Sequence, residues 1–173
     1  AADGVPLPVR DGEGTLFRYD HGGAMEAVET GIGISNTLCW APDRRHFYFG
    51  DTLKNEIRVY DYDRDSGRIA GGTPFFAGFD RGFPDGSAMD SAGYLWNCRF
   101  GGGCIVRVAP DGTIDRVIDM PVSNITTCTF GGAELRTLYV TSAASDQGER
   151  LAGSLFAISV DVPGMDENIF RLG

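Results

Sequence analysis

Three segments of this 173-residue chain can be written one beneath another: SNTLCWAPDRRHFYFGD from Ser35, PDGSAMDSAGYLWNCRF from Pro84 and ITTCTFGGAELRTLYVTSA from Ile125. Each sets a polar residue ahead of a short, small-apolar run, then a tight turn, then an aromatic-rich run. A further apolar run follows each, at 56–60, 104–108 and 154–158. In this register Asn36, Asp85 and Thr126 are equivalent, spaced by 49 and 41 residues. Units of about forty to fifty residues with several strands each are the mark of propeller blades, which bury their apolar faces only against neighbouring units.

The local pattern agrees. Apolar runs are four to six residues long, as at 14–19, 46–49 and 105–108, and turn signals drawn from 25 glycines separate them. No stretch holds a helical period over three turns. The expectation is an all-β chain. In a propeller the first strand of each blade lines the central channel, so the residue at its head projects into one mouth. Asn36 and Asp85 are thereby predicted to meet near the axis. A carboxylate and an amide carbonyl converging there suit a hard divalent cation. The competing reading makes both residues turn caps, ordinary work for Asn and for an Asp-Gly pair.

Composition removes several function classes. The chain carries 24 acidic and 15 basic residues for a formal charge of −9, with Lys54 its one lysine, which argues against nucleic acid and anionic lipid as partners. No apolar run approaches the length of a membrane span. The opening AADGVPLPVR lacks a basic and then apolar leader, and it reads as a cut or processed end. Cys39, Cys98, Cys104 and Cys128 form no C-x-x-C, and His21 and His46 lie in unrelated contexts, so a zinc knuckle is not expected. Buried free thiols are the default, with a Cys98–Cys104 disulfide across the triglycine turn as the alternative. DYDRDSG at 61–67 begins like a calcium loop, but Ser66 and Gly72 stand where that loop needs its glycine and its glutamate, so a hairpin turn is predicted. Trp40 and Trp96 read as packing residues rather than sugar platforms, and the sequon at Asn124 as chance.

Seven segments in order carry a resemblance: ISNTLCWAPD (34–43), FYFGDT (47–52), IRVYDYDRDSGRI (57–69), FPDGSAMDSAGYLWNCRFGGG (83–103), TTCTFGG (126–132), LRTLYVTSA (135–143) and LAGSLFAISVDVPG (151–164). Together they resemble the gluconolactonase, regucalcin (senescence marker protein) and luciferin-regenerating-enzyme-like family of six-bladed β-propellers. The resemblance implies that the chain supplies the C-terminal three to four blades, residues 1–173 forming one partial propeller domain. It also implies a metal-dependent hydrolase that opens a sugar lactone in the cytoplasm. Asn36 and Asp85 match two of the family's metal ligands, with Asp85 also a possible general base. Asn36 is followed by Thr37 where the family usually has Gly. The family's third ligand, a Glu of the first blade, has no counterpart here, nor do its substrate-binding Arg and Asn; these would belong to a missing N-terminal half. Ca²⁺ leads the candidate cofactors, ahead of Zn²⁺, Mg²⁺, Mn²⁺ and Fe²⁺. The rivals are a phosphotriesterase-like hydrolase on the same fold and a calcium-binding or scaffold propeller without turnover.

Overall fold

The computed structural model describes residues 10–20, 22–145 and 148–169, so His21 and the first nine residues lie outside the described part. Every regular element in it is a strand. β1 (Gly14–Tyr19) and β2 (Met25–Ile32) form a two-stranded antiparallel sheet. β3 (Ser35–Trp40), β4 (His46–Asp51), β5 (Glu56–Asp63) and β6 (Arg68–Ala77) form the second sheet in sequence order. β7 (Phe83–Met89), β8 (Leu95–Phe100), β9 (Cys104–Val108) and β10 (Ile114–Asp119) repeat that arrangement. β11 (Ile125–Gly131), β12 (Thr137–Ser142) and β13 (Leu155–Ser159) make a three-stranded fourth sheet.

The all-β expectation holds throughout the described residues, and the three aligned segments each open a sheet. The first strands of successive sheets lie side by side, β3 against β7 and β7 against β11. The interior is therefore a series of apolar layers between sheets. Ile32, Phe47, Phe49 and Tyr60 fill the first layer. Cys39, Tyr48, Ile57 and Phe76 meet Leu95, Cys104, Val106 and Val108 in the second. Trp96, Cys98 and Ile105 meet Cys128, Phe130, Leu138 and Val140 in the third. The third sheet is covered on both faces, and all of β9 and nearly all of β8 are buried. Strands so placed lose the polar alternation of a half-solvated sheet.

This layering decides the cysteine question. Cys98 sits opposite Ile105 in the β8–β9 register, and Cys104 sits opposite Arg99. Their side chains leave opposite faces of the sheet, Cys98 toward the third layer and Cys104 toward the second. The Cys98–Cys104 disulfide is thus ruled out by the pleat, and all four thiols are buried and free. Segment 61–67 runs from the end of β5 into the predicted hairpin turn, at 64–67, where Asp63 accepts hydrogen bonds from the Asp65 N–H and the Ser66 hydroxyl.

Candidate functional site

Each first strand slips register with its neighbour at the same point. The shift falls between Asn36 and Leu38 in β3, between Pro84 and Ser87 in β7, and between Ile125 and Cys128 in β11. A bulge bends the strand and re-aims the side chains it carries. Asn36, Asp85 and Thr126 sit at these bulges, inside strands rather than at turns, so the turn-cap reading is overturned for Asn36 and Asp85.

The Asp85-Gly86 pair is likewise no turn. Gly86 lies within β7, and a Cβ there would come within 2.4 Å of Thr127 Cβ in β11. The glycine is required by the close approach of the next sheet, not by a left-handed conformation.

Asn36 and Asp85 are joined through the second sheet. The Asn36 side-chain Nδ2 donates to Thr52 Oγ1 at 2.7 Å, and that hydroxyl donates to the Pro84 carbonyl at 2.7 Å. With its nitrogen so engaged, the Asn36 amide presents its oxygen away from Thr52. One residue on, Thr37 Oγ1 donates to the Asp85 carbonyl at 2.6 Å and lies 2.8 Å from Ser87 Oγ. Thr37 is 2% exposed and holds φ at +21°, a conformation that costs a β-branched residue about 1–3 kcal/mol. The departure from Gly at this position therefore places a hydroxyl on the backbone of Asp85 at the expense of strain. Thr126 is not drawn into this set; its hydroxyl pairs with Thr141 Oγ1 inside the fourth sheet.

Beneath the pair lies a polar network. Asn97 Nδ2 donates to Ser87 Oγ at 3.0 Å and Thr37 Oγ1 at 3.3 Å, and its Oδ1 accepts from Arg99 Nη1 at 3.2 Å. Arg99 is 1% exposed, and its other donors meet Asn55 Oδ1 and the carbonyls of Phe79, Arg81 and Gly82. Burial among these neutral acceptors brings the guanidinium down to about 10, with nearby Cys104 acting in the opposite direction. Asp51, next to Thr52, accepts from the N–H groups of Gly33, Ile34 and Leu53 and so shapes the entry into β3. Burial opposes its ionisation, but the Gly33 and Ile34 N–H groups and Lys54 together hold its carboxyl below the ordinary value.

Asp85 itself is half-buried. Desolvation lifts its carboxyl above the ordinary value, and the Gly86 N–H pulls the other way. Among the described residues no group of three or more His, Cys, Asp or Glu side chains gathers around a common point. The donors at these two bulges are one carboxylate and one amide oxygen. A cavity of about 420 Å³ lies at the other ends of these strands, lined by residues including Pro42, His46, Tyr48, Phe75 and Ser91. It includes neither Asn36 nor Asp85, and its lining brings no uncompensated carboxylate: Asp43 there is paired with His46 at 2.6 Å. The chemistry points to the bulges.

A family model for the SMP-30/gluconolactonase/LRE-like region matches residues 5–144. The chain belongs to this family. It is 37% identical over 172 residues to a pentonolactonase of Haloferax volcanii, covering 93% of this chain and 59% of that protein. It is 36% identical over 166 residues to a 6-deoxy-6-sulfogluconolactonase of Pseudomonas putida, covering 91% and 56%. Among solved structures it resembles a calcium-binding protein, regucalcin, from Agrobacterium tumefaciens, with a TM-score of 0.87, 28% identity and coverage of 94% and 58%. The chain thus spans rather less than three-fifths of the length of these family members.

The sequence places Asn36 and Asp85 at equivalent positions but carries little sign of the groups bonded around them. Thr52, Ser87, Asn97 and Arg99 emerge only with the fold, and Thr37 stands out in the sequence only as a departure from Gly. The signal available was a run of polar residues at positions where β8 is otherwise apolar, Asn97 and Arg99 alternating with Trp96 and Cys98.

Proposed function

We propose that this chain is the C-terminal part of a six-bladed β-propeller and that the whole protein is a metal-dependent hydrolase of sugar lactones. The observation that carries the reading is the linkage of Asn36 and Asp85 through Thr52 and Thr37, which ties an amide oxygen and a carboxylate to adjacent bulges. Two family members with lactonase names support the substrate class. Residues 1–173 would form one partial domain, with the remaining blades and the third oxygen ligand supplied by an N-terminal half. No described helix is long and apolar enough to cross a membrane, and a cytoplasmic enzyme is our reading.

The donor set fits a divalent cation. Both groups offer hard oxygen, the Asn36 nitrogen is engaged elsewhere, and no described cationic side chain pairs with Asp85. Ca²⁺ suits such donors best, and Mg²⁺, Mn²⁺, Fe²⁺ or Zn²⁺ can share them. Asn36 and Asp85 would hold the ion, whose chemistry when bound is Lewis-acid polarisation of the lactone carbonyl. Asp85 takes the proton of the water whose oxygen bonds to that carbonyl carbon. The ring C–O bond then breaks, and the proton passes to the departing ring oxygen, leaving an open hydroxy acid. Beside the cation Asp85 would stay ionised, the form in which it can take that proton.

The test is hydrolysis of gluconolactone and xylonolactone by the full-length protein, followed with a pH indicator, with and without chelator. Activity should vanish with chelator and return with Ca²⁺ or Mn²⁺, and Asp85→Ala should lose about 100-fold or more in rate. Chelator-insensitive turnover, or wild-type rates in Asp85→Ala, would sink the proposal. Tight Ca²⁺ binding without turnover would instead favour the calcium-binding reading, which the regucalcin-like neighbour brings forward.

A further inference from the structure

We propose that Thr52 and Thr37 are positioning residues that clamp Asp85 from both sides and, through Thr52, lock it to Asn36. The functional consequence rests on the metal reading above. Thr52 Oγ1 holds the carbonyl of Pro84, and Thr37 Oγ1 holds the carbonyl of Asp85 itself. These two carbonyls belong to the peptide planes on either side of the Asp85 Cα. Fixing both planes fixes the two backbone dihedrals between them, and with them the direction of the Asp85 Cα–Cβ bond. At a bulge, where ladder pairing lapses, such fixing cannot come from the sheet's own register.

The proton arithmetic leaves little freedom in either arm. A carbonyl only accepts, so each threonine spends its one proton on β7. The Thr52 oxygen then accepts from Asn36 Nδ2, which orients the amide with its oxygen on the other side. In the second arm Arg99 only donates. Asn97 must therefore turn its oxygen to Arg99 and its nitrogen to Ser87 and Thr37. Ser87 in turn donates to Thr37, and Thr37 to Asp85. Every donor in this chain points the same way, from the buried guanidinium toward the backbone of Asp85, and hydrogen bonds so aligned polarise one another. Within this network Thr52 is the group that joins the Asn36 side chain itself to β7, because it accepts from Asn36 and donates to the residue before Asp85.

The experiment compares Thr52→Val, which keeps the shape and removes the hydroxyl, with Thr52→Ser, which keeps the hydroxyl. Wild type and Asp85→Ala serve as references, all in the full-length protein. Two quantities are read: the affinity for Ca²⁺ and Mn²⁺ alone by titration calorimetry, and amide exchange over residues 85–87 after chelation. Thr52→Val should lose about 10- to 100-fold in affinity, the usual effect of removing a supporting partner, and Thr52→Ser should stay within about threefold of wild type. Exchange over 85–87 should be at least about tenfold faster in Thr52→Val than in Thr52→Ser. Where wild type binds and Asp85→Ala does not, wild-type affinity in Thr52→Val, or equal losses in both threonine variants, overturns the clamp. Where wild type binds no better than Asp85→Ala, the metal reading fails and exchange alone decides, unchanged exchange in Thr52→Val overturning the clamp. If Thr52→Val does not fold, Thr37→Val against Thr37→Ser makes the same comparison at the other hydroxyl.

Discussion

Asp51 shows how much of the site depends on a residue outside it. Its carboxylate gathers three backbone N–H groups, at 2.9 Å from Gly33 and 3.1 Å from Ile34 and Leu53, with Lys54 Nζ 3.4 Å away. These bonds set the chain's entry into β3 one residue before Thr52 begins the link to Asn36. Because its carboxyl is held below the ordinary 3.8, the ionised form stabilises the fold. The excess stability over Asp51→Asn should be about 1.5–3 kcal/mol, the worth of hydrogen bonds to a charged group. That excess is fully present above pH 3.8 and is lost as pH falls through the lower value of the folded state. Urea melts of both proteins from neutral pH to pH 2 check it; a difference that persists unchanged into acid would show that charge is not the cause.

Among the elements, β8 packs against both neighbouring sheets. Its even positions, Trp96 and Cys98, face the fourth sheet, and its odd positions, Leu95, Asn97 and Arg99, face the second. Trp96 is 2% exposed, meets Phe130 edge-on and donates its Nε1–H to Asp90 Oδ2 at 3.0 Å. Asp90 is also bound by Arg107, whose guanidinium stacks 3.6 Å from the centre of the Tyr94 ring. Trp96→Ala should therefore cost about 3–5 kcal/mol in a denaturant melt, through the cavity and the lost Asp90 partner. A melt unchanged from wild type, with a raised Michaelis constant for lactone, would make Trp96 a substrate platform instead.

At the scale of the whole chain, the described sheets differ at the two ends of the series. The second and third sheets carry four strands each, whereas the first has two and the fourth has three. β13 is the outer strand of the fourth sheet, and its Leu155 is 66% exposed; Phe17 on β1 is 52% exposed. Uncovered strand edges with apolar side chains are templates for pairing. Expressed alone, the 173 residues should self-associate in size-exclusion chromatography with light scattering and show no lactone hydrolysis. A monomeric, active chain would mean that these edges are inert and that the chemistry lies away from Asn36 and Asp85.

What the sequence by itself determined was the periodic part of the molecule. Short alternating runs and three segments in register named an all-β chain, and placed Asn36 and Asp85 at equivalent positions before any contact was known. Strands that escaped this reading had a reason to. β2 has no counterpart in the aligned segments, β6 carries Pro74 and two glycines, and most of β10 is exposed, so none of them shows the half-buried alternation that marks a strand. The tertiary structure alone decided which groups hold the pair. Thr52 reaches Pro84, 32 residues away, and Asn97 reaches Thr37, 60 residues away. Such contacts depend on how closely one sheet approaches the next and on where each strand bulges. Neither is written in local periodicity: the pleat separates Cys98 from Cys104, but it is the approach of one sheet to the next that brings Thr37 onto the carbonyl of Asp85 and Thr52 onto that of Pro84.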